Sequence, residues 1–159
     1  MRTLFVLTLL LGSISMAHAQ RVARHTSASG SVYPDVSLTN LVGMYDMTLT
    51  DWERNLKLIS KLRDDFGDGG ISYTIEPKSG SADGMCFITK KTDAIELVYT
   101  IGTNNTSIFT DFLKEIKPNY VQDTDGYQIY SWESFTKVKY VFAVKITTEQ
   151  EYVRVYVSQ

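Results

Sequence analysis

The sequence predicts an α+β domain: an antiparallel sheet of six or seven strands from two αβββ repeats, with both helices on one face. Three observations carry this. Helical spacing of apolar residues occurs twice, over residues 50–66 and 105–116. Each such stretch is followed by segments whose apolar and polar residues alternate with a period of two. The second set also echoes the first: Thr50-Asp51-Trp52 matches Thr110-Asp111-Phe112 at an offset of 60, Gly70 matches Gly126 at 56, and Val98-Tyr99 matches Val155-Tyr156 at 57. The repeats are expected over about 48–102 and about 103–159.

The first residues stand apart from this pattern. Arg2 is a positive charge, residues 4–11 form an apolar core, and Ala17-His18-Ala19 places small residues where a signal peptidase reads. Gly12, Ser13 and Ser15 interrupt the apolar run, which falls short of the about 20 residues a membrane span needs. The expectation is a signal peptide over 1–19, a mature chain starting at Gln20, and a secreted or periplasmic location with no membrane insertion after cleavage. No cysteine stands at the cleavage point to carry a bacterial lipid anchor. Cleavage takes Arg2 from the 16 basic residues, leaving 15 against 18 acidic ones, a formal charge of −3. The bases are scattered, whereas a phosphate backbone is bound by clustered Lys and Arg, so nucleic acid is not an expected partner.

Residues 20–37 are rich in serine and poor in large apolar groups, and read as a flexible leader with a short contact near Val32-Tyr33. A single domain is expected over 38–159, with residues 41–47 as a candidate first strand. Thr50-Asp51-Trp52-Glu53 has the pattern of a capping box, and Trp52, Leu56, Ile59, Leu62 and Phe66 continue as one apolar stripe that Gly67 ends. Ile71, Tyr73 and Ile75 alternate with Ser72, Thr74 and Glu76 as in a half-buried strand. A Gly/Ser loop closed by Asp83-Gly84 leads to strands over 85–90 and 95–101. Asn105 or Thr106 can cap a second helix carrying Ile108, Phe109, Phe112, Leu113 and Ile116, which Pro118 terminates. Asp125-Gly126 then turns the chain into a strand over 127–132, and a hairpin over 138–147 and 152–158 completes the sheet.

The residue inventory narrows the chemistry. Cys86 is the one cysteine, so no intramolecular disulfide can form, and its apolar neighbours Met85, Phe87 and Ile88 mark it as a buried small hydrophobe. The mature chain keeps one histidine, His25, in the leader, so no triad or His/Cys metal site is expected, and no catalytic residue or cofactor is assigned. Nucleotide fingerprints are missing as well. Asp64, Asp65 and Asp68 fail as a calcium loop because Gly67 and Gly69 fall at ligand positions; with Asp123 and Asp125 they read as turn residues. Two overlapping glycosylation acceptors, Asn104-Asn105-Thr106 and Asn105-Thr106-Ser107, read as capping residues for the second helix.

If helices cover one face of the sheet, the other is free. Val153, Val155 and Val157 look core-facing, which turns Tyr152, Arg154 and Tyr156 outward. Tyr130 and Trp132 are expected to join them, with Lys139 and Lys145, while Tyr127 and Ile129 point the other way. Aromatics interleaved with cations suit a binding surface, because Tyr, Trp and Arg concentrate interface energy. The expected function is a non-catalytic extracytoplasmic module that binds a protein, peptide or glycan through this face. The alternatives are a carboxylate-dependent secreted hydrolase, or an inhibitor of another secreted protein that would use residues 79–84 as a wedge.

Overall fold

The structure is a computed structural model that describes residues 21–57, 59, 62–65 and 70–158, the stretch 62–65 by its backbone. The expected signal peptide and the expected helix end at Phe66 and Gly67 lie outside the described residues. The fold is α+β, with a large antiparallel sheet as expected. Strands β1 (Arg24–Thr26) and β2 (Val32–Pro34) form a small hairpin. Helices α1 (Leu38–Asp46) and α2 (Leu49–Leu56) precede strands β3 (Leu62–Asp65), β4 (Ile71–Ile75), β5 (Cys86–Lys90) and β6 (Ala94–Thr100). Helix α3 (Thr110–Ile116) and a 3-10 turn (Lys117–Asn119) precede β7 (Tyr120–Thr124), β8 (Tyr127–Glu133), β9 (Lys139–Ile146) and β10 (Gln150–Val157).

The main sheet has eight strands in the order β3-β4-β5-β6-β10-β9-β8-β7. It consists of two four-stranded meanders joined along β6 and β10, so β10 lies inside the sheet, paired on both sides. Two strands exceed the expectation. Leu62 lies in β3, not on the helix, which ends at Leu56. Strand β7 precedes Asp125-Gly126, whose positive φ values of 51° and 79° make the two-residue turn that a tight hairpin needs.

Residues 41–47 are helical, not extended. Ser37 caps α1 by accepting from the Asn40 N–H, and Leu41 and Met44 are buried at helical spacing. The cap of α2 is Thr48, two residues before the expected Thr50; it accepts from the Asp51 N–H and donates to the Asp51 carboxylate. Helix α3 starts at Thr110 without a side-chain cap of its own. Its approach is held instead by buried Glu151 on β10, which accepts from the Ile108 N–H at 3.0 Å and from the Ser107 hydroxyl.

One side of the sheet carries the core. Ile71, Tyr73 and Ile75, Cys86 and Ile88, Ile95, Leu97 and Tyr99, Phe142 and Val144, and Val153 and Val155 are buried together with Leu41, Met44, Trp52, Leu56, Phe109, Phe112 and Ile116 from the helices. Phe112 packs on Phe142 at 5.7 Å between ring centres, and Tyr45 packs on Tyr140 at 5.7 Å. Tyr140 and Phe142 share a side of β9, so α1 and α3 meet the same surface of that strand.

The expected flexible leader is folded. Val22, Tyr33 and Val36 are buried, and Tyr33 donates its hydroxyl to the Gly84 carbonyl at 2.6 Å. The Gly84 N–H in turn donates to the Tyr99 hydroxyl at 3.1 Å. Ala23 and Val22 N–H groups are received by Asn40 and Asn55 side chains of α1 and α2. A low apolar content therefore suffices, because Tyr33 and a set of hydrogen bonds secure the segment. In the loop over 79–84, Ser79, Gly80 and Ala82 are exposed, and Asp83 and Gly84 at its end are buried.

Candidate functional site

The strand phase that faces away from the helices forms ordered rows across the sheet. Cross-strand pairing sets Lys145 beside Tyr152 and Tyr152 beside Val98. The next row runs Ile129, Ala143, Arg154, Glu96, and the one after it Ser131, Val141, Tyr156, Ala94. Tyr127 ends the first row, its ring 5.5 Å from that of Tyr152. Ala143 is the smallest side chain at the middle of this surface. Larger neighbours rise around it, and the result is a cleft of about 850 Å³.

Ile129, Ala143 and Arg154 line the cleft between Tyr127 and Tyr152 on one side and Tyr156 on the other. Thr124 and Asp125 of the β7–β8 hairpin stand at one end, and Tyr45, Asp93 and Ser158 at the other. The volume falls in the range of about 300–1,000 Å³ typical of small-ligand sites. Lys145 Nζ lies 5.5 Å from the centre of the Tyr127 ring, and Arg154 Cζ lies 5.8 Å from that of Tyr156. Glu96 Oε1 receives Lys91 at 3.5 Å and Arg154 Nε at 3.7 Å. Burial, and secondarily the nearby Glu96 carboxylate, pushes the Tyr152 hydroxyl up to about 12. At neutral pH it therefore keeps its proton.

Tyr152, Arg154 and Tyr156 lie where the alternation places them, and all three line the cleft. Lys139 and Lys145 share their side of the sheet. Tyr130 and Trp132 do not. They pair with Phe142 and Tyr140, Tyr130 is buried, and Trp132 stacks at 5.9 Å on Tyr140 against the helices. Tyr127 and Ile129 occupy the cleft instead, so the expected assignment of the two sides of β8 is inverted. Every position from Tyr127 to Trp132 except Gln128 and Ser131 is aromatic or β-branched, so hydrophobicity alone gave no phase. Pairing with the unambiguous strand β9 decides it.

Comparison with known proteins yields no match among family models, curated proteins or solved structures.

Proposed function

We propose that the chain is exported, loses residues 1–19, and acts outside the cytoplasm as a non-catalytic module that binds a protein, peptide or glycan in the open-face cleft. The observation that carries this reading is the cleft itself, lined by Tyr127, Tyr152, Tyr156 and Arg154 on the side of the sheet away from the helices. These are residue types that concentrate binding energy when desolvated. Beside the cleft, Glu96 is engaged by Lys91 and Arg154. The secreted or periplasmic location rests on the three-part N-terminal segment.

The test uses the chain from Gln20 immobilised beside its Ala143→Trp variant, which fills the cleft from the side opposite the core. Both are exposed to the producing organism's envelope extract and culture medium. A ligand retained by the wild type and lost by the variant supports the reading. Equal retention by both overturns it. Export is checked by fractionation and N-terminal sequencing: Gln20 as first residue outside the cytoplasm is expected, and an intact Met1 chain confined to the cytoplasm contradicts it.

A further inference from the structure

The cleft follows β10. Tyr152, Arg154, Tyr156 and Ser158 all line it, so its floor runs for about 20 Å at the rise of an extended strand. Beneath it β6, β8, β9 and β10 are each paired on both edges. A peptide laid along this face would find no free strand edge to pair with, and any of its own N–H and C=O groups buried there would go unanswered. Recognition on this face falls to side chains alone.

Those side chains show no run of one sign. Glu96 lies 3.5 Å from Lys91 and 3.7 Å from Arg154. Glu133 stands opposite Lys139 and 2.9 Å from Lys137, while Lys145 stands by the Gly126 turn that follows Asp125. A cleft draws in a charged polymer when one sign lines it, and here acids and bases answer one another along its length.

What the cleft offers in quantity is tyrosine. Tyr45, Tyr127, Tyr152 and Tyr156 line it, each an apolar ring that ends in a hydroxyl able to donate and to accept. Lys145 over Tyr127 and Arg154 over Tyr156 steady two of these rings. Exposed Asp125 and Asp93 stand toward the two ends, and among the described residues no basic group lies within 4.0 Å of either carboxylate. A neutral sugar chain is the complement of this set. Its C–H faces can rest on rings, and its hydroxyls can donate to carboxylates and exchange hydrogen bonds with tyrosine hydroxyls.

We infer that the cleft takes a neutral oligosaccharide several units long, lying along β10 on Tyr152 and Tyr156, with Asp93 and Asp125 accepting from its hydroxyls toward the ends. This rests on the cleft being the binding site proposed above.

The test applies the chain from Gln20 to an array of neutral, sulfated and carboxylated oligosaccharides and, in parallel, to a random dodecapeptide display library. Ala143→Trp is the plugged control in both, and Ala143→Leu serves as a smaller plug should tryptophan disturb β9. Neutral oligosaccharides kept by the wild type and lost by the plugged chain are expected. In titrations with them, Tyr152→Ala and Tyr156→Ala should each weaken binding about tenfold. Raising the salt from about 0.05 M to about 0.5 M should change the affinity less than about twofold, because no charge is neutralised on binding. A cleft-dependent preference for acidic sugars, cleft-dependent peptides without any such sugar, or binding that salt weakens about tenfold overturns the inference while the cleft remains the site. So do neutral sugars whose affinity ignores both tyrosine changes. If neither collection yields a cleft-dependent ligand, the inference and the reading beneath it both fall.

Discussion

Asp83→Asn reads directly how the N-terminal hairpin is held to the domain. Asp83 Oδ2 accepts from the Ser27 hydroxyl at 2.6 Å and from the Ser29 hydroxyl, while Oδ1 accepts from Asn104 Nδ2 at 2.6 Å. These donors, Ser27 first, stabilise the charged form and hold the Asp83 carboxyl at about 2 against an ordinary 3.8. A gap of that size is worth about 2 kcal/mol at most, and the neighbouring solvent screens it to about 1–2 kcal/mol. The folded-state value lies below the unfolded one. The contribution is therefore complete above about pH 4 and fades as the pH falls through about 2. Asparagine turns an N–H₂ group toward the donors and loses that contribution at every pH. Urea unfolding at pH 7 should show Asp83→Asn less stable by about 1–2 kcal/mol, and the two stability curves should converge between pH 4 and 2. Equal stability at pH 7, or a constant offset down to pH 2, would refute the proposed role of the carboxylate.

Two further substitutions test the packing. Phe112 is fully buried against Phe109 and Phe142, so Phe112→Ala should cost about 3–5 kcal/mol in chemical denaturation, and a loss under about 1 kcal/mol would mean that this helix face is not core. A Cβ on Gly84 would lie 1.4 Å from the Thr100 carbonyl oxygen, so Gly84→Ala should cost about 3 kcal/mol or more. Gly43, in α1, would place its Cβ against nothing within 4 Å, and Gly43→Ala should instead stabilise by about 0.5–1 kcal/mol. Thermal midpoints that move in the same direction for both glycines would contradict this packing.

What was legible in the sequence had one periodicity at a time. Strand β10 alternates valine with tyrosine and arginine, so one phase alone fits a core, and Tyr152, Arg154 and Tyr156 followed from it. Strand β8 reads as apolar in both phases, and its assignment failed for that reason. Residues 38–46 hold Leu38, Leu41, Val42, Met44 and Tyr45, a helical spacing obscured because Val42 and Tyr45 also suit strands. The hairpin at the N-terminus is held by Tyr33, Ser27 and Ser29, whose acceptors, the Gly84 carbonyl and the Asp83 carboxylate, lie 50 or more residues away. No local pattern signals such contacts. The depth of the cleft was likewise invisible, since it depends on Ala143 standing between three taller side chains on two other strands.

If the cleft binds as proposed above, the division of the sheet into two sides has a consequence for recognition. Glu151, Val153 and Val155 are buried on the core side of β10, and Tyr152, Arg154 and Tyr156 line the cleft on the other. Because β10 is hydrogen-bonded on both edges, the backbone beneath the cleft is fixed before a ligand arrives. A preformed floor lowers the ordering cost of binding, and more of the contact energy appears as affinity. Tyr152, Arg154 and Tyr156 lie outside the core cluster, so their identities could change the ligand of the proposed site without changing the fold. The wall built by Tyr127 differs, because it follows the Asp125-Gly126 turn of a hairpin whose outer strand, β7, is exposed along its length. In the binding role proposed above, selectivity would have its firm element in Arg154 and Tyr152 and its adjustable one in Tyr127.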